Sequence, residues 1–379
     1  MLKEITEGHT RLLVPEELLE GRIERRPVFY NPLSKLSRDV SCAAARALAK
    51  KEKLHYLDLL AGTGARGIRI ANEAGCSVHL NDANPETREV MMANAELNGV
   101  EVAMSNVEGN LLMRENPGAF DFIDIDPYGS PAPYLGNATA TVKRKGLIAF
   151  AATDTAALHG LYPKTCLRRY SALPLRCEFG REVGLRILLG YAARNVASRS
   201  RGMRCILSHS TRHYFRAYLH MSPGRRAADS ALEDMGYLYY CRNCLDRRSE
   251  RQTIPRERRC ECGGEYEVAG PLWLGGLLDE EFRNTALEKS RYLADAEVEK
   301  LLSTLASELD EPFYYDVHAL CRKMKISAPK MEEVMEELRD SGFDVSRTHF
   351  SPTAIKTNAS VEDVKRALLP VFLLLAVLA

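Results

Sequence analysis

The sequence predicts an α/β protein, with a parallel sheet joined by right-handed crossovers in the front of the chain and a smaller α+β unit behind it. Three observations predict it. From residue 54 onward short apolar strands alternate with helical stretches, a tight glycine turn follows the first strand, and the composition shifts near 222–230, where the chain reads SPGRRAADS. At 379 residues, 45% hydrophobic and 27% charged, the chain has room for two or three domains, and global disorder, collagen-like repeats and coiled coil are excluded.

Taken in order, the first thirty residues read as an arm: a charged helix candidate around 15–20, then RRPVFYNP. An Ala-rich helix is expected over 39–49. Strands are expected at 54–60 (LHYLDLL), 77–82 (SVHLND), 100–106 (VEVAMSN), 120–126 (FDFIDID) and 146–154 (GLIAFAATD). Helices IRIANEAG, closed by Gly75, and 85–98, closed by Gly99, lie between them. Further strands are expected near 203–209 and 214–221. Behind the boundary come a Cys- and Arg-rich segment, GPLWLGGL, an acidic helical region from about 279, and a helix–turn–helix–strand block at about 312–358 that fits a winged-helix-like unit.

The net charge of +1 hides a polarity along the chain. Residues 183–228 hold nine arginines, three histidines and no carboxylate, whereas 278–344 hold 17 acidic against 9 basic residues. Arginines without local acids repel one another unless an anion is supplied, so the basic run is the better candidate for a polyanion partner than the mixed-charge cysteine region. The charged N-terminus has no apolar signal segment, and six cysteines (42, 76, 166, 177, 205, 321) lie singly among apolar or small residues; a cytoplasmic location is expected. The apolar end ALLPVFLLLAVLA falls short of the about 20 residues a bilayer span needs, and no membrane association is expected.

Chemistry concentrates at three places. In Asp58-Leu-Leu-Ala-Gly62-Thr-Gly64, a strand ending in an acid runs into a turn where side chains at 62 and 64 would block a nucleotide cofactor. Gly62-x-Gly64-x-x-Gly67 also satisfies the dinucleotide fingerprint, so the turn alone leaves an oxidoreductase open. Asp82, 20 residues after Gly62, ends the second strand where it can accept both ribose hydroxyls of an adenosine cofactor, although such an acid by itself is more often a helix cap. The fourth strand ends in Asp126-Pro127-Tyr128, the pattern of enzymes that methylate exocyclic base amines. The amine lone pair is delocalised into the ring; a carboxylate accepting its hydrogen bonds steers that pair towards a methyl group, and the aromatic ring stacks on the base. Asp124 is expected on the opposite side of the strand from Asp126. Phe29-Tyr30 either reaches over the site as a second stacking face or pins the arm by burial. Finally, Cys241-x-x-Cys244 and Cys260-x-Cys262, fifteen residues apart, suit a closed, structural tetrahedral zinc site, though the C-x-C pair is tight for a knuckle.

On the stretches FYNPLSKLSRDVS, LDLLAGTGARGIR, LNDANPE, FDFIDIDPYGSPAPYL, ATDTAALHGLYPKTCLRRY, GPLWLGGL and RTHFSPTAIKTNA, the chain resembles the archaeal tRNA guanine-26 N2-dimethyltransferase family over nearly its whole length. The resemblance implies a Rossmann-like class I methyltransferase domain (1–228, with the arm) and a C-terminal tRNA-binding domain (229–379). It implies S-adenosyl-L-methionine as donor, tRNA as partner, dimethylation at N2 by base extrusion and direct in-line transfer, and no protein partner. Residue by residue, Arg38, Arg66, Asp82 and Glu108-Gly109 would hold the cofactor, Asp126 would be the catalytic carboxylate, and Phe29 and Tyr128 would sandwich the guanine. The family usually has Asp-Ala at 108–109 and often Phe at 128. A non-catalytic tRNA-binding protein with a zinc module is the remaining alternative.

Overall fold

In the computed structural model, which describes residues 1–19, 28–49, 53–251 and 259–369, the chain begins with a β-hairpin where the sequence suggested only an arm. Strands β1 (Leu2–Glu7) and β2 (Thr10–Pro15) pair antiparallel from Leu2↔Pro15 to Glu7↔Thr10, with Gly8 at φ +54° in the two-residue turn. The helix expected at 15–20 is a single turn, Glu16–Leu19, and Arg26-Pro27 of the arm lie outside the described residues.

All seven expected strands of the front half form one sheet. They are β3 (His55–Asp58), β4 (Ser77–Asn81), β5 (Val102–Ser105), β6 (Phe120–Ile125), β7 (Val142–Ala152), β8 (Arg201–Thr211) and β9 (Tyr214–Pro223), ordered β5-β4-β3-β6-β7-β9-β8. β3 to β7 run parallel, and β9 lies antiparallel between β7 and β8. Helices cover both faces, so the strands read as apolar runs rather than alternations. Helix Lys35–Leu48 packs against helices Ala65–Ala74 and Glu280–Ser290, and helix Gly180–Ala197 packs against β8 on the other side. From β3 the chain works outward to β5, then returns to β6 and works the other way. The strand order therefore reverses between β3 and β6, which opens a crevice at their carboxyl ends, the place where open α/β sheets bind ligands.

Helix Arg225–Glu233 leads into a small sheet, β11-β10-β12, made of β10 (Met235–Tyr240), β11 (Arg247–Glu250) and β12 (Glu267–Trp273). The last unit is β13 (Tyr315–Asp316), helices Val317–Met324 and Met331–Asp340, β14 (Val345–Arg347) and β15 (Ala354–Thr357), with strand order β13-β15-β14. It is joined to the large sheet's helices by a buried cluster around Glu182 of helix Gly180–Ala197, which accepts the N–H of Phe313 at 2.8 Å and lies 3.6 Å from Lys356, itself 3.3 Å from Glu308, which bonds His349 at 2.7 Å. Arg38 and Tyr30 bond Glu7 in β1, so the hairpin too is tied to the sheet's covering helices. All ten cysteines are free thiols. No helix among the described residues is long and apolar enough to cross a membrane, and residues 370–379 of the apolar end lie outside them.

Candidate active site

The crevice is built from strand ends. Asp58 closes β3, is buried, and accepts the N–H of Gly67 through Oδ2 at 2.9 Å, so it fixes the frame of the glycine turn from beneath. Burial and the neighbouring Asp124 charge push its pKa up to about 7. Gly62 has φ +55°, and a Cβ there would sit 2.6 Å from the Phe29 carbonyl oxygen; the same oxygen accepts Thr63 N–H at 3.3 Å. Gly64, at φ +76°, starts helix Ala65–Ala74. At Gly67 a Cβ would meet Leu80 at 2.2 Å, which explains the third glycine as a close helix–strand contact.

Asp82 stands just past β4 and accepts Gly62 N–H and Asn84 N–H, both at 2.9 Å. A carboxylate has about four acceptor sites, so two remain for a ligand. Glu108 caps helix Gly109–Glu115, accepting N–H from Asn110 at 3.0 Å and Leu111 at 2.9 Å, and those bonds hold its carboxyl below the usual range. Gly109 is buried beneath Leu59 and Tyr134, 3.3 and 3.4 Å from where a Cβ would lie. One organiser escaped the sequence reading. Asn81 donates to the carbonyls of Leu59 and Val107 at 3.0 Å and accepts from Ser105 at 2.7 Å, tying three strand ends together.

The two arginines expected at the cofactor are both engaged with acids. Arg38 bonds Glu7 through Nε at 2.8 Å and Nη2 at 2.5 Å. Burial alone would raise the Glu7 pKa, but the charge and hydrogen bonds of Arg38, helped by Tyr30, hold it down at about 2. Arg66 bonds Asp126 through Nη2 and Ser41 through Nη1 at 2.6 Å, with Nε 3.8 Å from Asp124.

That last contact corrects the expectation for Asp124. Side chains two apart on a strand share a face, and Asp124 and Asp126 are bridged by the one guanidinium. Asp124 is fully buried, where it accepts from Tyr56 Oη at 2.8 Å and from Arg216 Nη1 at 2.9 Å. Behind the half-exposed Asp126 there is thus a row Asp126–Arg66–Asp124–Arg216 of alternating charge. No sequence pattern announced it, because Arg216 lies on β9. The turn after Asp126 is anchored in turn by Thr153, whose N–H donates to Gly129 O and whose Oγ1 accepts Gly129 N–H, both at 2.8 Å.

The aromatic pair of the arm divides between its two readings. Tyr30 is buried and donates to Glu7 at 2.6 Å, while Phe29 is 45% exposed. Tyr128, at 87% exposed, is the most open ring beside the crevice.

The basic run is corrected as well. Six of its nine arginines find partners far away in sequence: Arg186 with the Trp273 and Gly275 carbonyls, Arg194 with Tyr170 O, Arg201 with the Val142 and Lys143 carbonyls, Arg204 with Asp279, Arg212 with Glu297, and Arg216 with Asp124. A stretch without local carboxylates is not a stretch without partners. In the cysteine region Arg242, Arg247, Arg248 and Arg251 are paired with acids, while Arg256 and Arg258 lie outside the described residues. The four cysteines do converge: the Sγ atoms of Cys241, Cys244, Cys260 and Cys262 lie within 4.8 Å of one another, with Cys241–Cys262 at 3.6 Å and Cys244–Cys260 at 3.5 Å. The C-x-C pair closes because Gly263, at φ +83°, and Gly264 make the turn.

The model of the family described as N2,N2-dimethylguanosine tRNA methyltransferase matches residues 8–369. The chain belongs to this family. The tRNA (guanine(26)-N(2))-dimethyltransferase of Methanosphaera stadtmanae is 38% identical over 378 residues, covering 97% of this chain and 96% of the relative. The protein of the same name from Pyrococcus abyssi is 39% identical over 381 residues, covering 95% and 97%. The fold is similar to the structure of Trm1 from Pyrococcus horikoshii with S-adenosyl-L-methionine, at a TM-score of 0.88 and 36% identity, covering 97% of this chain and 100% of that one. Membership of the N2,N2-dimethylguanosine tRNA methyltransferase family accords with the α/β sheet and its crevice between β3 and β6.

Proposed function

We propose that the chain transfers methyl groups from S-adenosyl-L-methionine to the N2 amine of guanine 26 in tRNA, forming N2,N2-dimethylguanosine. The observation that carries this reading is the half-exposed Asp126 at the carboxyl end of β6, pinned by Arg66, which itself follows the glycine turn. The residues present fit the donor. Gly62 keeps the turn open where a side chain would collide with the Phe29 carbonyl, and Asp82 retains free acceptor sites for a ribose. Asp58 supports the turn, Gly64 admits close approach, Glu108 and Gly109 border the adenine side, and Arg38 and Arg66, each already paired with an acid, would hold the donor through N–H groups left over from those pairs. Bound there, the cofactor supplies an electrophilic methyl group.

The chain's own residues do the rest. Arg66 holds Asp126 Oδ2, while Oδ1 has no partner among the described residues and accepts a hydrogen bond from the amine. That bond orients the nitrogen lone pair, and Oδ1 takes the proton the nitrogen sheds as its new bond forms. Phe29 and Tyr128 hold the extruded base between them, offsetting part of the unstacking cost.

We also infer a structural zinc ion on Cys241, Cys244, Cys260 and Cys262. Tetrahedral thiolates at about 2.3 Å from a metal lie about 3.8 Å apart, close to the sulfur separations here. A Cβ on Gly264 would intrude, 3.1 Å from Cys241 Sγ. Four thiolates leave no open position for catalysis. Residues 1–228 then serve as the methyltransferase domain and 229–379 as a tRNA-binding domain, and free thiols throughout suit a reducing cytoplasm. Mass spectrometry of nucleosides from tRNA incubated with protein and S-adenosyl-L-methionine tests the reading. N2,N2-dimethylguanosine at position 26 is the expected product, and unmodified tRNA contradicts it.

A further inference from the structure

The stretch ATDTAALHGLYPKTCLRRY carries part of the family resemblance, yet beyond Thr153 none of its side chains has been given a role in the site above. It leaves β7 at Thr153, the residue that anchors the turn after Asp126, and so starts at the active end of the sheet. Six residues on, the ring of His159 meets that of Phe215 edge-on at 5.3 Å, and Phe215 pairs with Ala152 at the same end. Here the structure has a cavity of about 350 Å³, walled on one side by His159, Arg176 and Arg181 and on the other by Tyr314, Phe350 and Ser351 of the C-terminal part.

The groups around this cavity are suited to a polyanion. His159 Nε2 is buried and has no hydrogen-bond partner. Burial and the Arg181 charge push the ring's pKa down to about 4, so it stays neutral and offers hydrogen bonds rather than charge. Arg176 is exposed, and no acid pairs with it among the described residues; Arg181 is exposed and spends only Nη1, on Phe350 O at 3.1 Å. The one acid of the wall, Glu178, is already neutralised by Arg247 at 3.1 Å and bonded by Tyr240 at 2.8 Å. Exposed Leu161 and Tyr162 form an adjoining apolar rim, and Lys164 and Arg168 stand exposed on the helix Pro163–Tyr170 that follows. Two guanidiniums without an acid partner among the described residues, beside a neutral imidazole, match the sugar–phosphate backbone of a nucleic acid: charge for the phosphate, a hydrogen bond for phosphate or ribose.

We propose that this cavity, formed between the segment after β7 and the C-terminal unit, is a second tRNA contact that grips the phosphate backbone beside the target nucleotide through Arg176, Arg181 and His159. It rests on the tRNA reading given above. It also assigns the C-terminal unit a direct part in substrate binding, because the far wall of the cavity belongs to it. The basic run at 183–228, six of whose nine arginines are engaged with internal acids or carbonyls, is not the principal contact.

Salt-dependent binding tests the proposal. Affinity for unmodified tRNA is measured over a salt series for the wild type, for an Arg176→Gln, Arg181→Gln double variant, and for an Arg225→Gln, Arg226→Gln double variant. The last pair is exposed after β9, at the opposite end of the sheet, and removes the same charge. The cavity variant is expected to bind roughly tenfold more weakly, with the slope of log K against log salt reduced by about 1.4–1.8, the loss of two phosphate contacts. Its affinity for S-adenosyl-L-methionine and its melting temperature are expected to stay at wild-type values, and the opposite-end variant to bind tRNA nearly as the wild type does. His159→Ala is expected to weaken binding without changing the salt slope. An unchanged slope in the cavity variant, or an equal effect in both double variants, overturns the proposal. A wild-type chain that fails to bind tRNA at any salt overturns the underlying reading and the proposal with it.

Discussion

Replacing Asp124 by Asn removes the charge that two buried guanidiniums share. In the wild type, Asp124 takes two hydrogen bonds from Arg216 and one from Tyr56, with Arg66 Nε at 3.8 Å. Asn retains one acceptor oxygen but turns an amide donor towards a guanidinium donor, so at least one bond is lost and another becomes a clash. Removing one partner of a buried ion pair costs about 3–5 kcal/mol, because the survivor is left charged and desolvated. Asp58 moderates the loss. Part of what raises its pKa is the Asp124 charge, so without that charge Asp58 ionises more readily and returns some compensation. The expected destabilisation is therefore nearer the lower figure, about 3 kcal/mol. Urea unfolding of wild type and variant, compared at equal m, measures it. Because the row ends at Asp126, the rate of methyl transfer should fall as well in conditions where the variant is folded. A destabilisation below about 1 kcal/mol, the range of ordinary surface changes, would refute the claim that this row is a charge-balanced unit.

Other expectations follow from the same contacts. Asp58 holds a proton in the native state that the unfolded chain releases above its ordinary pKa of 3.8, so its contribution to stability falls as pH rises from there to about 7, by at most about 1.4 kcal/mol per pH unit. Asp58→Asn should abolish that decline. Glu7 and Glu308, held at about 2, act in the opposite sense and cost stability as pH falls from 4.5 towards 2; unfolding curves across pH check both. Phe29→Ala should weaken productive tRNA binding by about 1–3 kcal/mol with cofactor affinity intact, while Tyr128→Phe should be nearly silent in steady-state kinetics. Metal analysis should find about one zinc per chain, and a Cys241→Ser, Cys244→Ser double variant should lose both the metal and thermal stability, since a structural metal supplies folding free energy.

Elements whose signal is local were legible in the sequence. The parallel strands of the large sheet carry short apolar runs, and the glycine turn, Asp82 and Asp126 sit at strand ends because the chain must turn there. The four cysteines were legible from spacing alone. What escaped the reading depends on partners distant in the chain. Arg38 and Glu7 are separated by 31 residues and Arg216 and Asp124 by 92, so neither pair leaves a local pattern. The basic run misled for the same reason, since, Glu182 apart, its acids and carbonyls come from other elements. The hairpin at 2–15 pairs around Gly8-His9, and its many charged residues give it the composition of an arm.

Asp126 acts on the base amine and not on the cofactor. The most direct measurement is single-turnover methyl transfer to tRNA at saturating S-adenosyl-L-methionine by Asp126→Asn, with cofactor affinity measured on the same preparation by calorimetry. Asn preserves a hydrogen bond to Arg66 but cannot take a proton. A fall in rate of roughly 100-fold or more, the scale of an acid–base group, with cofactor affinity unchanged, is the predicted result. A folded variant that transfers methyl groups at the wild-type rate, or that loses cofactor binding in proportion to its rate, would contradict it.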